Sequence, residues 1–385
     1  MQNVGKMSGM HPPGSTASIQ DTGSQPNLKA ESLIEVKANK TWILNPVLDY
    51  LFVCGGMVWI LYACTCFGAS SVKQDAGSQA YTFILFWGSL LINDAHGPAT
   101  LVRVFESKTT PKKVRYLVAA WAIFLLSLAS VSVTHKEVAQ TFVKISIFWG
   151  IQHYIAQTFG VVLIYCMKRN YKLDPTERFV FQGLMRSMMC FIWLRILSVP
   201  AYGHIENFMG MEVPFWGPLP PLVVDIGQWV FTLFALAFIS LLIGRLVVKK
   251  QFFPLPGLIS IISLAAVVMS PRNGFYLLGV VFYHASQYLA ITFSYYLKEK
   301  HLLFNPNMPL DLLPRFVSPR GLIYFAILIS VGYFCNFTLP NLLIKGGLPD
   351  ALALCTVYAT LNCQHYFSDA LIWRIRDPKV RQLLV

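Results

Sequence analysis

Four histidines stand inside apolar stretches of this chain: His96, His153, His284 and His365. Ionisable side chains are costly in hydrocarbon, so an intramembrane histidine marks a candidate functional site. Each has an amide or carboxylate about one helical turn away, on the same face of a helix. Asn93 precedes His96 by three, Gln157 follows His153 by four, and Gln287 follows His284 by three. Asn362 and Asp369 flank His365 at three before and four after. A metal-binding imidazole commonly donates its second ring N–H to such a partner, which fixes its tautomer and direction. The spacing therefore predicts four imidazole ligands, oriented by Asn93, Gln157, Gln287 and Asn362. Asp94 or Asp369 is expected as a further ligand or as a catalytic base. A mixed nitrogen and oxygen site suits Fe(II), Mn(II) or Zn(II). The structural alternative is that each histidine only bonds a neighbouring helix, a contact worth about 0.6 kcal/mol.

The elements that must position these groups are membrane spans. Of 385 residues, 55% are hydrophobic, 14% aromatic and 13% charged, and mean hydropathy is +0.53. Soluble globular proteins carry about a quarter charged residues. Ten apolar stretches, at 43–69, 80–101, 116–134, 142–167, 178–200, 221–247, 254–270, 274–297, 320–338 and 350–373, approach the length needed to cross about 30 Å of hydrocarbon. The expected fold is an all-α polytopic bundle. A net charge of +13 raises nucleic acid as a partner, but the cations collect at span ends. With the N-terminus inside, about 24 of the 31 Lys and Arg fall in inner segments, which orients both termini to the cytoplasm and makes anionic lipid, not nucleic acid, the partner.

Residues 1–42, rich in Gly, Ser, Pro and Gln, read as a disordered cytoplasmic tail, residues 43–374 as the transmembrane domain and 375–385 as a short inner tail. No secretory leader pattern opens the chain. Cys64 and Cys66 face apart on a helix and make no metal pair, and the eight cysteines form no disulfide framework. Arg186 is a candidate partner for Asp94 or Asp369. Tyr154, Tyr283 and Phe367 are candidate substrate-wall residues. The triplet QHY occurs at Gln152–Tyr154 and again at Gln364–Tyr366, on helices expected to run the same way. Depth raises a difficulty: counted from these span ends at 1.5 Å per residue, His96 and His365 lie about 8 Å deeper than His153 and His284. Either the boundaries are off, or the ligands form two layers, or two metals about 3.5–4 Å apart share them.

The strings NDAHGPAT, WGIQHYIAQTFG, YHASQYLAI and NCQHYFSDALIW resemble a group of multi-pass bacterial membrane proteins with histidines inside their spans, over most of the membrane part. The layout is also similar to the Brp/Blh-type β-carotene dioxygenases. That similarity implies non-haem iron held by histidines from several spans. Two departures stand out. The first string often carries a histidine where Asp94 stands here, and the H-x-x-x-H pair of the dioxygenases is absent.

The leading expectation is an intramembrane metal-dependent oxidoreductase, with iron and a redox partner, acting on a hydrophobic lipid or isoprenoid. Alternatives are a Zn-dependent membrane hydrolase with Asp369 as base, a transporter or channel with a buried His/Asp/Arg relay, and a scaffold. Haem on paired histidines fits less well, because amides and a carboxylate surround the imidazoles.

Overall fold

The computed structural model describes residues 41–71, 82–198, 207–269, 279–304, 313–375 and 377–385. The chain divides into Met1–Glu35 and Val36–Val385. The first unit, with nearly all of the expected tail, lies outside the described residues, as do His11 and His204.

The regular structure of the described part is helical, save for one hairpin. The helices in chain order are α1 (Pro46–Val53), α2 (Gly56–Ser71), α3 (82–105), α4 (Lys112–Thr134), α5 (Lys136–Lys168), α6 (Pro175–Ile196), α7 (Pro221–Lys249), α8 (Leu255–Met269), α9 (279–304), α10 (Leu313–Phe316), α11 (Pro319–Lys345), α12 (Asp350–Ile372) and α13 (Pro378–Leu384). Among the described residues, α4, α5, α6, α7 and α11 are long and apolar enough to cross a membrane. The stretch 43–69 is broken: α1 and α2 meet at 66° and count as a sixth span only if taken together. The break falls at Gly55, at φ +89°, where a Cβ would overlap Ser263 and Tyr283. α8 is short, α9 is described only from residue 279, and α12 is less apolar than the five because it carries the site.

Local sequence explains the helix ends. Asp174 caps α6 in a reciprocal capping box with Glu177, which satisfies two otherwise orphaned amides. Ser318 accepts from the Gly321 N–H at the start of α11. Between α6 and α7, strands β1 (Asn207–Phe208) and β2 (Met211–Glu212) pair antiparallel around Met209 and Gly210, both at positive φ, the backbone of a tight hairpin turn. Met211 and Val213 are buried with Cys355, Ala359 and Cys363 of α12, so the hairpin rests on the helix that carries His365.

The interior holds two large apolar clusters. One joins α5, α6, α8 and the start of α9; the other joins the 41–54 segment, α5, α9, α11 and α13. Close approaches set the register between helices. Gly332 of α11 lies against the Asp94 carbonyl, where a Cβ would overlap backbone, and Gly150 of α5 makes room for the Tyr366 hydroxyl of α12. Small residues at such contacts let helix backbones meet in the membrane.

Among the described residues, π-turns interrupt the helices at Asp49–Val53, Ser89–Asn93, Val280–Ala285 and Phe334–Thr338. The second ends just before Asp94 and His96, and the third contains His284. π-turns recur at functional sites because the additional residue re-aims the side chains that follow.

Candidate metal centre

The four histidines meet. Ring centroids are 4.6 Å apart for His96 and His365, 4.7 Å for His153 and His365, 5.0 Å for His153 and His284, and 5.3 Å for His96 and His284. All four are buried, with Asp369 beside them. Two sets of possible metal ligands arise, His96 with His284 and His365, and His153 with His365 and Asp369, each with its ligand atoms within 4.8 Å of one another. The depth offset expected for His153 disappears because its helix starts earlier than its apolar stretch. α5 begins at Lys136, not 142, so at 1.5 Å per residue His153 lies about 25 Å along its helix, beside about 22 Å for His365 and about 21 Å for His96.

His365 joins the two sets. Thr100 Oγ1 lies 2.7 Å from His365 Nδ1, 2.7 Å from the Tyr288 hydroxyl and 3.2 Å from Asp369 Oδ1. Nδ1 is thereby engaged, and when Thr100 gives its one proton to either oxygen it accepts from Nδ1–H, so that Nε2 keeps its lone pair for the centre. His365 Nε2 faces His153 Nε2 at 3.1 Å. Asp369 Oδ2 stands 3.7 Å and 3.8 Å from these two nitrogens. Two nitrogens bound at right angles to one ion, each at about 2.1 Å, sit about 3.0 Å apart. With one available nitrogen on the shared histidine, the donor set fits one ion better than two. His96 Nδ1 meets the Asn93 carbonyl, which leaves its Nε2 for the centre.

His284 differs from the other three. Both of its ring nitrogens are buried without a hydrogen-bond partner. A neutral imidazole always has one N–H to donate and one lone pair to place, and each buried group left unmade costs about 1–3 kcal/mol. Tyr154 packs its ring 4.2 Å from that imidazole but satisfies neither nitrogen. Ligation by a metal would compensate one of these losses.

The orienting amides make other contacts. Gln157 Nε2 donates to the His284 carbonyl at 3.0 Å and to Gln287 Oε1 at 2.9 Å. Gln287 donates in turn to the Val53 carbonyl at 2.7 Å. Asn362 donates to the Tyr358 carbonyl and accepts from the Tyr366 hydroxyl. Asn93 reaches His96 through its backbone carbonyl while its side chain donates to Asp94. The side chains of these amides therefore brace backbone and neighbouring side chains, and none of these hydrogen bonds goes to an imidazole ring. Asp94 is buried with one carboxylate oxygen unpartnered and belongs to neither ligand set. Two residues from His96, it projects about 200° around the helix from it. Arg186 is exposed and forms no ion pair with Asp94 or Asp369 among the described residues.

Two orienting residues escaped the sequence reading: Thr100 and Tyr288. Tyr288 donates to Asp369 Oδ1 at 2.7 Å and lies 2.7 Å from Thr100 Oγ1. A signal was present, because Thr100 follows His96 by four and Tyr288 follows His284 by four, the same step that relates Gln157 to His153 and Asp369 to His365. Hydroxyls at that step are common packing residues in helices, and attention to amides and acids passed over them.

Beside the centre runs a slot of about 200 Å3, walled by Trp149, His153, Gln157, Tyr288, Tyr366, Asp369 and Trp373 among others, and largely apolar. The expected wall residues differ. Tyr154 stacks near His284, Tyr283 donates to the Ser260 carbonyl, and Phe367 lies on Trp121 at 4.6 Å. The repeated QHY triplet accounts for the facing His153 and His365 and for Tyr366 in the slot, while Gln364 turns away to the Val118 carbonyl. No family model, curated protein or solved structure matches the chain.

Proposed function

We propose that the chain is an intramembrane metal-dependent oxidoreductase, with iron on His96, His153, His284 and His365, Asp369 as fifth ligand or base, and a hydrophobic substrate in the adjoining slot. The observation that carries this reading is His284, whose two buried, unpartnered nitrogens stand among three converging imidazoles. A packing role would have left at least one of them hydrogen-bonded, since buried polar groups in proteins are nearly always paired. Iron bound there would supply redox chemistry with O2. The protein's own part is positional. Thr100 engages Nδ1 of His365 and leaves Nε2 for the centre, Tyr288 holds Asp369 by its other oxygen, and the aromatic walls exclude water and seat an apolar chain.

The same reading takes the protein as integral to a membrane, with five to six helices apolar enough to cross and the shorter or more polar α3, α8, α9 and α12 completing about ten crossings around the site. Both termini are assigned to the cytoplasm from the distribution of Lys and Arg. A zinc hydrolase built on the same ligands differs in the metal alone. A relay transporter is less well supported, because the four imidazoles gather at one point and do not string out across the bundle.

Elemental analysis of the detergent-purified full chain tests the proposal. One equivalent of iron, lost in both His284→Ala and His153→Ala, is the expected result. Zinc in its place moves the assignment to the hydrolase, and an absence of tightly bound metal after metal-supplemented expression overturns it.

A further inference from the structure

The slot continues well past the histidines. It follows one face of α5 from Trp149 through His153 to Gly160 and Ile164, where Ile291 of α9 and Leu384 of α13 also line it. A Cβ placed on Gly160 would meet no heavy atom within 4 Å, so the glycine widens the slot midway. Beyond this end stand two lysines. Lys168 is one turn past Ile164 on α5, and Lys298 is two turns past Ile291 on α9, each on the slot-facing side of its helix. Helical side chains lean towards the helix N-terminus, so both stems lean back towards the slot.

Both lysines are buried, at 6% and 8% exposure. Lys168 Nζ donates to the oxygen of Val385, the neighbour of slot-lining Leu384, at 3.1 Å. Lys298 makes no hydrogen bond among the described residues. The carboxylate near them is Asp49, and its oxygens already accept the Ile43 and Leu44 amides and the Tyr165 hydroxyl. Two buried lysines thus stand one to two turns past the lining of an apolar slot, near an acid that already accepts three hydrogen bonds. A buried ammonium keeps its charge at least cost beside an anionic partner.

We propose that the slot binds a single-chain amphiphile with an anionic head, the head on Lys168 and Lys298 and the chain lying along α5 with its far end at His153 and Asp369. This extends the substrate reading given above and rests on it for what happens at the far end. Length supports it. Residues 153 to 168 rise about 22 Å, and a stem leaning back by one turn of 5.4 Å leaves about 17 Å. An acyl chain covers about 15 Å, half of a hydrocarbon core.

The test is displacement of a fluorescent long-chain fatty acid from the full chain in non-ionic detergent, with metal content measured in parallel. Palmitate and monohexadecyl phosphate are expected to compete, and the stronger of the two identifies the head as carboxylate or phosphate. Methyl palmitate and acetate are expected to be weaker by about tenfold or more, the scale of one lost charge-assisted contact. Lys298→Met should lose a similar factor and Lys298→Arg should restore it. Gly160→Leu should block binding with metal content unchanged. If Gly160→Leu does not purify as a monodisperse species, Ala156→Leu on the same wall replaces it. Equal competition by methyl palmitate, or full binding by Lys298→Met and Lys168→Met, overturns the proposal and leaves the metal reading standing. Lysine-dependent binding in a chain without metal supports the proposal and overturns that reading.

Discussion

Thr100 on α3 and His365 on α12, 265 residues apart in sequence, share a hydrogen bond of 2.7 Å that engages Nδ1 of the histidine common to both ligand sets. Substituting Thr100→Val removes the acceptor for the Nδ1 proton while keeping side-chain shape. Metal affinity is expected to fall about 10–100-fold, the usual cost of losing an orienting partner, with metal still bound at saturation. Competition against a chelator of known affinity measures it. Unchanged affinity would remove Thr100 from the site.

Tyr288→Phe takes the shortest of the hydrogen bonds from Asp369 Oδ1 and leaves Thr100 beside that oxygen. If Asp369 coordinates the ion, this variant and Asp369→Asn should both weaken metal binding, and the double variant should weaken it by less than the two effects added, because both act through one carboxylate. Strict additivity in titrations would show that the two act independently.

Removing the metal should lower stability. A ligand present at 100 times its dissociation constant stabilises the folded state by about 2.7 kcal/mol, so chelation should shift the thermal transition of the wild-type protein downward and leave that of His284→Ala unmoved. Scanning fluorimetry in the same detergent, with and without chelator, reads both. A shift of equal size in the two proteins would place the stabilising ion elsewhere.

The close approach of α11 to α3 gives a contrast between glycines. Gly332→Ala drives a methyl group into the Asp94 carbonyl and is expected to cost about 1–3 kcal/mol. It should also loosen metal binding, since His96 lies two residues further on the displaced helix. Gly97→Ala meets nothing within 4 Å and should be neutral or stabilising by up to about 1 kcal/mol, as for a helical glycine. Thermal melts of the two variants make the comparison, and equal losses would contradict the packing described here.

The assigned orientation is checked by labelling intact cells with a membrane-impermeant maleimide. A cysteine in place of His135, between α4 and α5, should react from outside. One in place of Lys250, after α7, should react only after the cells are opened. The reverse pattern would invert the topology.

Composition and periodicity were enough to read an all-α chain with apolar helices, because burial in lipid requires every backbone hydrogen bond to be made within a segment, a demand written locally in runs of apolar residues. The histidines were legible for the same reason: an ionisable group in an apolar run is conspicuous wherever the chain goes. Their convergence was expected from the matched spacings, but the depth at which they meet was not legible. It depends on π-turns beside His96 and His284, on an α5 that begins six residues before its apolar stretch, and on glycine contacts such as Gly332 against Asp94 that set how far one helix slides along another. Those are relations between helices distant in sequence. Tertiary packing alone turned Thr100 and Tyr288 from ordinary helical hydroxyls into partners of His365 and Asp369, and turned Asp94 away from the centre, because two residues along a helix amount to more than half a turn.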